Sequence, residues 1–185
     1  MSVAAITGMA QVRGQIDSAF EAIFQQHYRR VYALLIRLVG ERAQAEDLAN
    51  EVFCKLYDQP AGAPVWENPA GWLYRAATNA GIDALRAAAR RRRYEAEAGT
   101  HLVSADGSPL DSVLRAEQFR QIRAVLGAMK PNQAQILLMR ADGCSYKELA
   151  EASQVAAGGV GTLLNRAEAE FRKRYLKLTG HKEVL

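Results

Sequence analysis

Apolar side chains recur at steps of three and four residues along most of this chain, and that spacing limits the folds open to it. One stripe begins with Phe20, Phe24 and Tyr28, and another begins with Val160 and Leu164. This period matches the roughly 3.6 residues of an α-helical turn, whereas a half-buried strand needs apolar and polar residues to alternate. No segment alternates in that way. The sequence therefore predicts an all-α fold.

Capping and breaking residues position the first three helices. Ser18 and Glu21 have the spacing of a capping box, so the first helix is expected to begin at Ser18, and Gly40 is expected to end it. A second helix follows and stops before the Gly- and Pro-containing loop Gln59–Glu67. Asn68–Pro69 has the pattern of an N-cap followed by proline at the first helical position, which predicts the start of a third helix.

The apolar period is lost between Tyr94 and Ser112, where Gly, Ser, Asp and Pro replace it. This composition predicts a flexible linker that spans roughly 55 to 60 Å when extended. We therefore expect two small helical domains joined by a flexible linker. The first domain is predicted at residues 16–94, the linker at 95–111 and the second domain at 112–178.

The second domain is predicted to contain a helix-turn-helix. Ser145 and Glu148 repeat the capping-box spacing before a short helix, and a long amphipathic helix starts near Val160 after a turn. The polar residues expected on the exposed face of this last helix include Thr162, Asn165, Arg166 and Lys173. Asparagine can pair bidentately with adenine and arginine with guanine, so this face is typical of a helix that reads duplex DNA. An ordinary three-helix packing unit gives the same pattern, and the residues alone leave both interpretations open.

The third helix carries a basic stripe. Its members, which fall on one side of the helix, are Trp72, Arg75, Asn79, Asp83, Arg86, Arg90 and Arg93. Alanines occupy the opposite side and permit close packing there. Guanidinium groups displace counterions from a phosphate backbone and an aromatic ring stacks on exposed bases, so the stripe indicates a nucleic-acid surface. The alternative is a solvated run of charge with Trp72 folded back onto the neighbouring helices.

The second helix has an acidic side. The polar residues there include Glu46, Asp47, Asn50 and Glu51, and Phe53 is expected to lie outside the apolar stripe. Such a face suits docking against a basic partner. Equally, carboxylates near a helix N-terminus interact favourably with the helix dipole and need no partner.

Composition excludes several classes of protein. The 185 residues are 49% hydrophobic and 24% charged with a net charge of +4, values close to those of ordinary globular proteins. No apolar run approaches the roughly 18 residues of a membrane span, and the N-terminus lacks the cationic flank of a secretory signal, so a cytoplasmic protein is expected. Cys54 and Cys144 are far apart, which argues against a disulfide framework or a zinc site. We expect no cofactor, no metal and no enzymatic activity, because nucleophile–base pairs and phosphate loops at recognisable spacings are absent.

Three segments of the chain resemble the extracytoplasmic-function (ECF) group of bacterial RNA polymerase sigma factors. Ala45–Phe53 is similar to the polymerase-binding motif of that group, although a glutamine more usually stands at the position of Asn50. Asn68–Asn79, with Asp83 and Arg86 after it, resembles the segment that binds and opens the downstream promoter element. Pro131, Ser145–Ala150 and Val160–Ala167 resemble the domain that reads the upstream element, although Gly158, Gly159 and Gly161 depart from the basic or hydroxyl residues common there.

The resemblance implies a function in transcription initiation without covalent chemistry. Core RNA polymerase would bind the face formed by Asp47, Asn50, Glu51 and Phe53. Promoter DNA would be melted at the third helix and anchored upstream by the last helix. An anti-sigma factor is a further partner that this group often has.

Other functions remain open at this point. The first alternative is a stand-alone helix-turn-helix transcriptional regulator whose N-terminal domain senses a signal or dimerises. The second is an adaptor that binds only proteins through its acidic helix.

Overall fold

The computed structural model of the chain describes the backbone of residues 3–97 and 110–180 and the side chains of residues 16–95 and 116–180. These residues form helices and turns without a strand, which confirms the all-α class. The α-helices are α1 (Val3–Val39), α2 (Arg42–Tyr57), α3 (Pro69–Glu97), α4 (Leu110–Ala128), α5 (Pro131–Ala141), α6 (Tyr146–Ser153) and α7 (Val160–Thr179). Short 3-10 turns at Pro64–Trp66 and Ala157–Gly159 precede α3 and α7. We call α1–α3 module one and α4–α7 module two.

The first helix begins earlier than predicted. It is continuous from Val3 to Val39, so Ser18 and Glu21 lie inside it and the predicted N-cap at Ser18 is wrong. A Ser-x-x-Glu spacing also places two side chains on one helix face, so it is compatible with a helix interior. The predicted end is confirmed. Gly40 adopts a φ of 81° and its N–H donates to the Ile36 carbonyl at 2.8 Å, a left-handed helix end that glycine adopts without strain.

Aromatic and aliphatic side chains hold α1 against α2. The ring of Phe53 lies 4.9 Å from the ring of Phe24 and 5.7 Å from that of Tyr28, measured between centroids. Phe53 is only 2% exposed, so the expectation that it lies outside the apolar stripe is wrong. The reason is that α2 packs against both α1 and α3 and therefore buries a wider face than a single stripe.

The third helix starts at the predicted residue and crosses α1 closely. The Asn68 side-chain oxygen accepts a hydrogen bond from the Gly71 N–H at 3.2 Å, which confirms the predicted N-cap. Further along, a β-carbon on Gly81 would lie 2.5 Å from Cδ1 of Leu38. Only a residue without a side chain lets α3 approach α1 this closely, and this approach fixes the direction of the basic stripe.

Module two contains the predicted helix-turn-helix. The Glu148 N–H donates to Oγ of Ser145 at 3.3 Å, and the Ser145 N–H donates to Oε2 of Glu148 at 2.7 Å, which confirms the capping box. The helix α6 ends at Ser153, and its C-cap Gln154 adopts a left-handed φ of 55°. Buried Leu149 on α6 and Leu164 on α7 belong to the core that sets the two helices against each other.

The two modules pack against each other through α3, which contacts α4, α5 and α6. From the sequence, the two modules are expected to be separate domains joined by the linker at residues 95–111. Of that segment, residues 95–97 belong to α3 and residues 110–111 to α4, while 98–109 lie outside the described residues. Helix periodicity predicts each module, but it contains no information on whether the modules touch.

Candidate nucleic-acid interface

The acidic face of α2 is exposed as predicted. Asp47, Asn50 and Glu51 are all exposed, and Oε1 of Glu51 lies 2.6 Å from Nζ of Lys55 one turn later. The first turn of α2 contains no acidic residue. Because the helix dipole acts mainly within the first turn, it gives little reason for carboxylates at these later positions. The position of these carboxylates beyond the first turn therefore weakens the explanation that they only interact favourably with the helix dipole.

The basic stripe of α3 has an open part and a covered part. Asn79, Asp83 and Arg90 are exposed, whereas Trp72 and Arg75 are half-buried. Trp72 and Arg75 line a cavity of about 400 Å³ together with Glu151 of α6. Helix α6 lies against the first turn of α3, where a β-carbon on Gly71 would lie 3.3 Å from Cα of Ala152, whereas Asn79, Asp83 and Arg90 remain open to solvent.

Arg86 is the residue of the stripe that departs most from the prediction. Its Nε donates to the Gly127 carbonyl at 3.0 Å and its Nη2 donates to the Met129 carbonyl at 3.1 Å. These carbonyls lie at the end of α4, where backbone oxygens lack partners within the helix and the dipole favours a cation. Arg86 therefore has partners on α4 that the stripe alone does not predict, while its side chain remains 38% exposed.

The loop before α3 is a fixed connector. Nε1 of Trp66 donates to the Pro60 carbonyl at 3.0 Å, and Val65 is buried. A 3-10 turn at Pro64–Trp66 continues into the N-cap at Asn68. These bonds fix the loop that leads into the first turn of α3.

The exposed face of α7 is as predicted. Thr162, Asn165, Arg166 and Lys173 are all exposed, while Leu164 and Ala167 are buried beneath them. The sequence predicts that this helix starts near Val160, next to Gly158, Gly159 and Gly161. The structure begins α7 at Val160 and places Gly158 and Gly159 in the preceding 3-10 turn. The polar face therefore begins in the first turn of α7.

Sequence reasoning missed two arginines on α1. Nη1 of Arg30 lies 3.9 Å from Oε1 of Glu148, and Arg37 pairs with Asp142. The two arginines are seven residues apart, a spacing that places them on one helix face, and this was the signal available in the sequence. Both pairs join module one to module two.

A polar group lies buried between the modules. The Cys144 side chain is completely buried beside Tyr74, which is 3% exposed, and Nη2 of Arg30 lies 3.7 Å from the Cys144 sulfur. Burial raises the pKa of the Cys144 thiol and, more strongly, that of the Tyr74 hydroxyl. Both groups are therefore neutral at physiological pH, as expected for an interior contact.

Two kinds of site have no candidate in the part of the chain that the structure describes. No group of three or more His, Cys, Asp or Glu side chains there is arranged to hold a metal ion. No helix within the same residues combines the length and the apolar content of a membrane span. The surfaces that stand out are the acidic face of α2, the stripe of α3 and the polar face of α7.

Comparison with known proteins assigns the chain to a family. Residues 23–91 match the family model "Sigma-70 region 2", and residues 119–171 match "Sigma-70, region 4". The ECF RNA polymerase sigma factor SigW of Bacillus subtilis is 30% identical over 173 residues, covering 89% of this chain and 92% of that protein. SigE of Mycolicibacterium smegmatis, also an ECF RNA polymerase sigma factor, is 29% identical over 161 residues, covering 83% of this chain and 60% of that protein.

One solved structure has a weaker similarity to this chain than these two relatives. The sigma factor RpoE of Bartonella quintana, solved in complex with the anti-sigma factor NepR, is 21% identical with a TM-score of 0.46, covering 84% of this chain and 95% of that chain. Membership rests on the matches to both sigma-70 regions and on the similarity to SigW over nearly the full length of both proteins. This chain belongs to the ECF group of RNA polymerase sigma factors.

Proposed function

We propose that this sigma factor binds core RNA polymerase through α2 and uses α3 and α7 to open and to read promoter DNA. The observation that carries the proposal is that one chain presents an exposed acidic face on α2, a basic stripe on α3 and an exposed polar face on α7. The mechanism is binding alone, without covalent chemistry. Its place of action is the cytoplasm, where polymerase and promoter DNA are found.

Core polymerase is proposed to bind Asp47, Asn50 and Glu51. These three side chains are exposed on one face of α2, and two of them are carboxylates that attract a basic partner surface. Phe53 has a different role from the one its sequence position suggests. It is buried against Phe24 and Tyr28 of α1, so we propose that it positions α2 and does not touch polymerase.

The downstream promoter element is proposed to bind the stripe of α3. Melting requires base steps to be unstacked at a cost of a few kcal/mol, which contacts to the separated strand must offset. Asn79 and Arg90 are exposed for such contacts, and Trp72 and Arg75 lie at the cavity beside them. Asp83 lies 3.8 Å from Nη1 of Arg86 and limits the directions in which that guanidinium can point.

The upstream element is proposed to bind the exposed face of α7. Asn165 and Arg166 have the side chains that pair bidentately with adenine and guanine, and Thr162 lies one turn before Arg166. Lys173 is two turns further along and suits a phosphate contact.

A binding measurement with purified core polymerase tests the proposal. The variant Asp47→Lys/Glu51→Lys reverses two charges on the face of α2, and we expect it to lose association with core polymerase. The matched control is Glu41→Lys/Asp58→Lys, which makes the same change in charge at two exposed residues that flank α2. Far-ultraviolet circular dichroism checks that both variants keep their helicity. Equal binding by the two variants would refute the assignment of this face.

A further inference from the structure

A crevice of about 260 Å³ lies between the later turns of α3 and helix α4. Its walls are largely short side chains, which leave the space open: Ala84, Ala88, Ala89, Ala124, Gly127 and Ala128. Four arginines of the described residues also line it, Arg86 and Arg92 from α3 and Arg120 and Arg123 from α4. No carboxylate is among the described side chains that line it. We call this cavity the arginine crevice.

The four arginines differ in how far the protein itself satisfies them. Arg86 donates to the carbonyls at the end of α4, and Nη2 of Arg120 lies 2.5 Å from Oε2 of Glu117 on the same helix. Within the described part of the chain, neither Arg92 nor Arg123 forms an ion pair with a carboxylate. The crevice therefore holds more positive charge than its own residues neutralise.

Arg123 is the cation that the fold positions most closely. A β-carbon on Gly40 would lie 3.0 Å from Cζ and from Nη1 of Arg123, so the guanidinium packs against the backbone at the end of α1. Burial lowers the pKa of Arg123, and the charges of Arg92 and Arg120 lower it further. Arginine stays protonated in proteins nonetheless, so three like charges are held near one another. A bound anion would relieve this repulsion.

The chemistry of the crevice selects phosphate groups. Guanidinium groups match phosphate oxygens with paired, charge-assisted hydrogen bonds, and several of them together suit an anion with more than one negative charge. Gln44 of α2 also lines the crevice, and its amide can donate to the same oxygens. The volume is below the roughly 300 to 1,000 Å³ of sites for drug-sized ligands, which favours a compact anion.

We propose that the arginine crevice binds a small soluble polyphosphate, such as pyrophosphate or the phosphates of a nucleotide, between Arg92 of α3 and Arg120 and Arg123 of α4. None of these three arginines belongs to the surfaces proposed for polymerase or promoter DNA. The inference therefore goes beyond the proposed function and does not depend on it. The recess between two helices favours a soluble anion over the backbone of a duplex, which runs across open surface.

Calorimetric titration of the full chain with pyrophosphate, at an ionic strength held constant with chloride, tests the site. We expect saturable binding of one pyrophosphate per chain, and Arg92→Gln should weaken it by about tenfold, or ~1.4 kcal/mol. Arg91→Gln is the matched control, because it removes the same charge from the neighbouring exposed residue, which does not line the crevice. It should leave the affinity nearly unchanged. An absence of binding to the parent protein, or an equal loss in both variants, would overturn the proposal.

A variant that keeps every charge tests the location. Ala124→Leu fills the crevice from α4, and leucine has nearly the helix propensity of alanine, so the helix should be retained. Far-ultraviolet circular dichroism checks this. We expect Ala124→Leu to weaken pyrophosphate binding by at least about tenfold. Unchanged affinity in a folded Ala124→Leu protein would place the anion elsewhere and overturn the assignment.

A DNA-binding measurement distinguishes the two sources of phosphate. Fluorescence anisotropy with a duplex that lacks promoter elements reports binding to the DNA backbone alone. If the ligand is a soluble anion, Arg92→Gln should weaken duplex binding no more than Arg91→Gln does. A specific loss of duplex binding in Arg92→Gln, as large as its loss of pyrophosphate binding, would overturn the soluble ligand and make the crevice a contact for DNA. Neither measurement uses polymerase or a promoter, so failure here leaves the proposed function untouched.

Discussion

The crossing of α3 over α1 at Gly81 determines where the basic stripe points, and the substitution Gly81→Ala tests it. The added β-carbon would lie 2.5 Å from Cδ1 and 3.2 Å from Cβ of Leu38, and 3.4 Å from Cδ2 of Leu35. Both leucines are fully buried, so the Leu38 side chain has little room to turn away. Overpacking of this kind costs about 1 to 3 kcal/mol.

The higher helix propensity of alanine offsets part of the cost of overpacking. Replacing glycine by alanine inside a helix stabilises it by about 1 kcal/mol. Taking about 2 kcal/mol for overpacking, we expect Gly81→Ala to lower the free energy of unfolding by about 1 kcal/mol. Urea denaturation followed by tryptophan fluorescence measures this in module one, because Trp66 and Trp72 both lie there.

A double-mutant cycle isolates the steric part. Leu38→Val removes the Cδ1 atom that the new β-carbon would meet, so Gly81→Ala in that background should be neutral or stabilising by up to about 1 kcal/mol. The coupling between the two sites should therefore be about 1 to 2 kcal/mol in favour of the double variant. If Gly81→Ala had the same effect in both backgrounds, the close crossing of α3 and α1 would be refuted.

Three further predictions concern stability and recognition. Burial, with a smaller effect from Arg30, holds the pKa of His27 below its usual 6.5, so stability should fall as the pH drops from 6.5 towards that lowered pKa, and His27→Asn should remove this fall in thermal denaturation. The variant Ser145→Ala loses the capping box, and we expect the free energy of unfolding of module two to fall by about 1 kcal/mol. Denaturation followed by circular dichroism measures this, and an unchanged value would mean that the cap is dispensable. Replacing Asn165 or Arg166 by Ala should weaken binding to the upstream element by about 1 to 3 kcal/mol in a sequence-dependent way, measured over a panel of altered promoters; a uniform loss would indicate phosphate contact instead.

Local signals in the sequence predicted the helices well where a cap or a breaker was present. Asn68–Pro69 and Ser145 mark real helix starts, and Gly40 marks a real end, because each acts on its own few residues. The prediction of a helix start at Ser18 was wrong because the Ser-x-x-Glu spacing also occurs within a continuous helix. The prediction that Phe53 lies outside the apolar stripe was wrong because its burial depends on α2 having two neighbouring helices. No pattern within α2 indicates that number of neighbours.

The polar contacts between module one and module two are the part of the structure that the sequence did not reveal. Their side chains include arginines and carboxylates, which look like ordinary solvated surface in a sequence, and Arg37 and Asp142 are separated by 105 positions. Apolar periodicity identifies which face of a helix is buried, but it does not identify a partner held by charge and by backbone carbonyls. Arg86 illustrates this, since its position on the stripe was predicted while its partners on α4 were not.

As a sigma factor, this chain should give core RNA polymerase its promoter specificity. Transcription from a library of random promoter fragments, with purified core polymerase in the presence and absence of this chain, measures that specificity. We predict transcripts that depend on the chain and that start at a fixed distance downstream of two shared sequence elements. Tight binding of the chain to duplex DNA without any such transcripts would contradict a role in initiation and favour a stand-alone helix-turn-helix regulator.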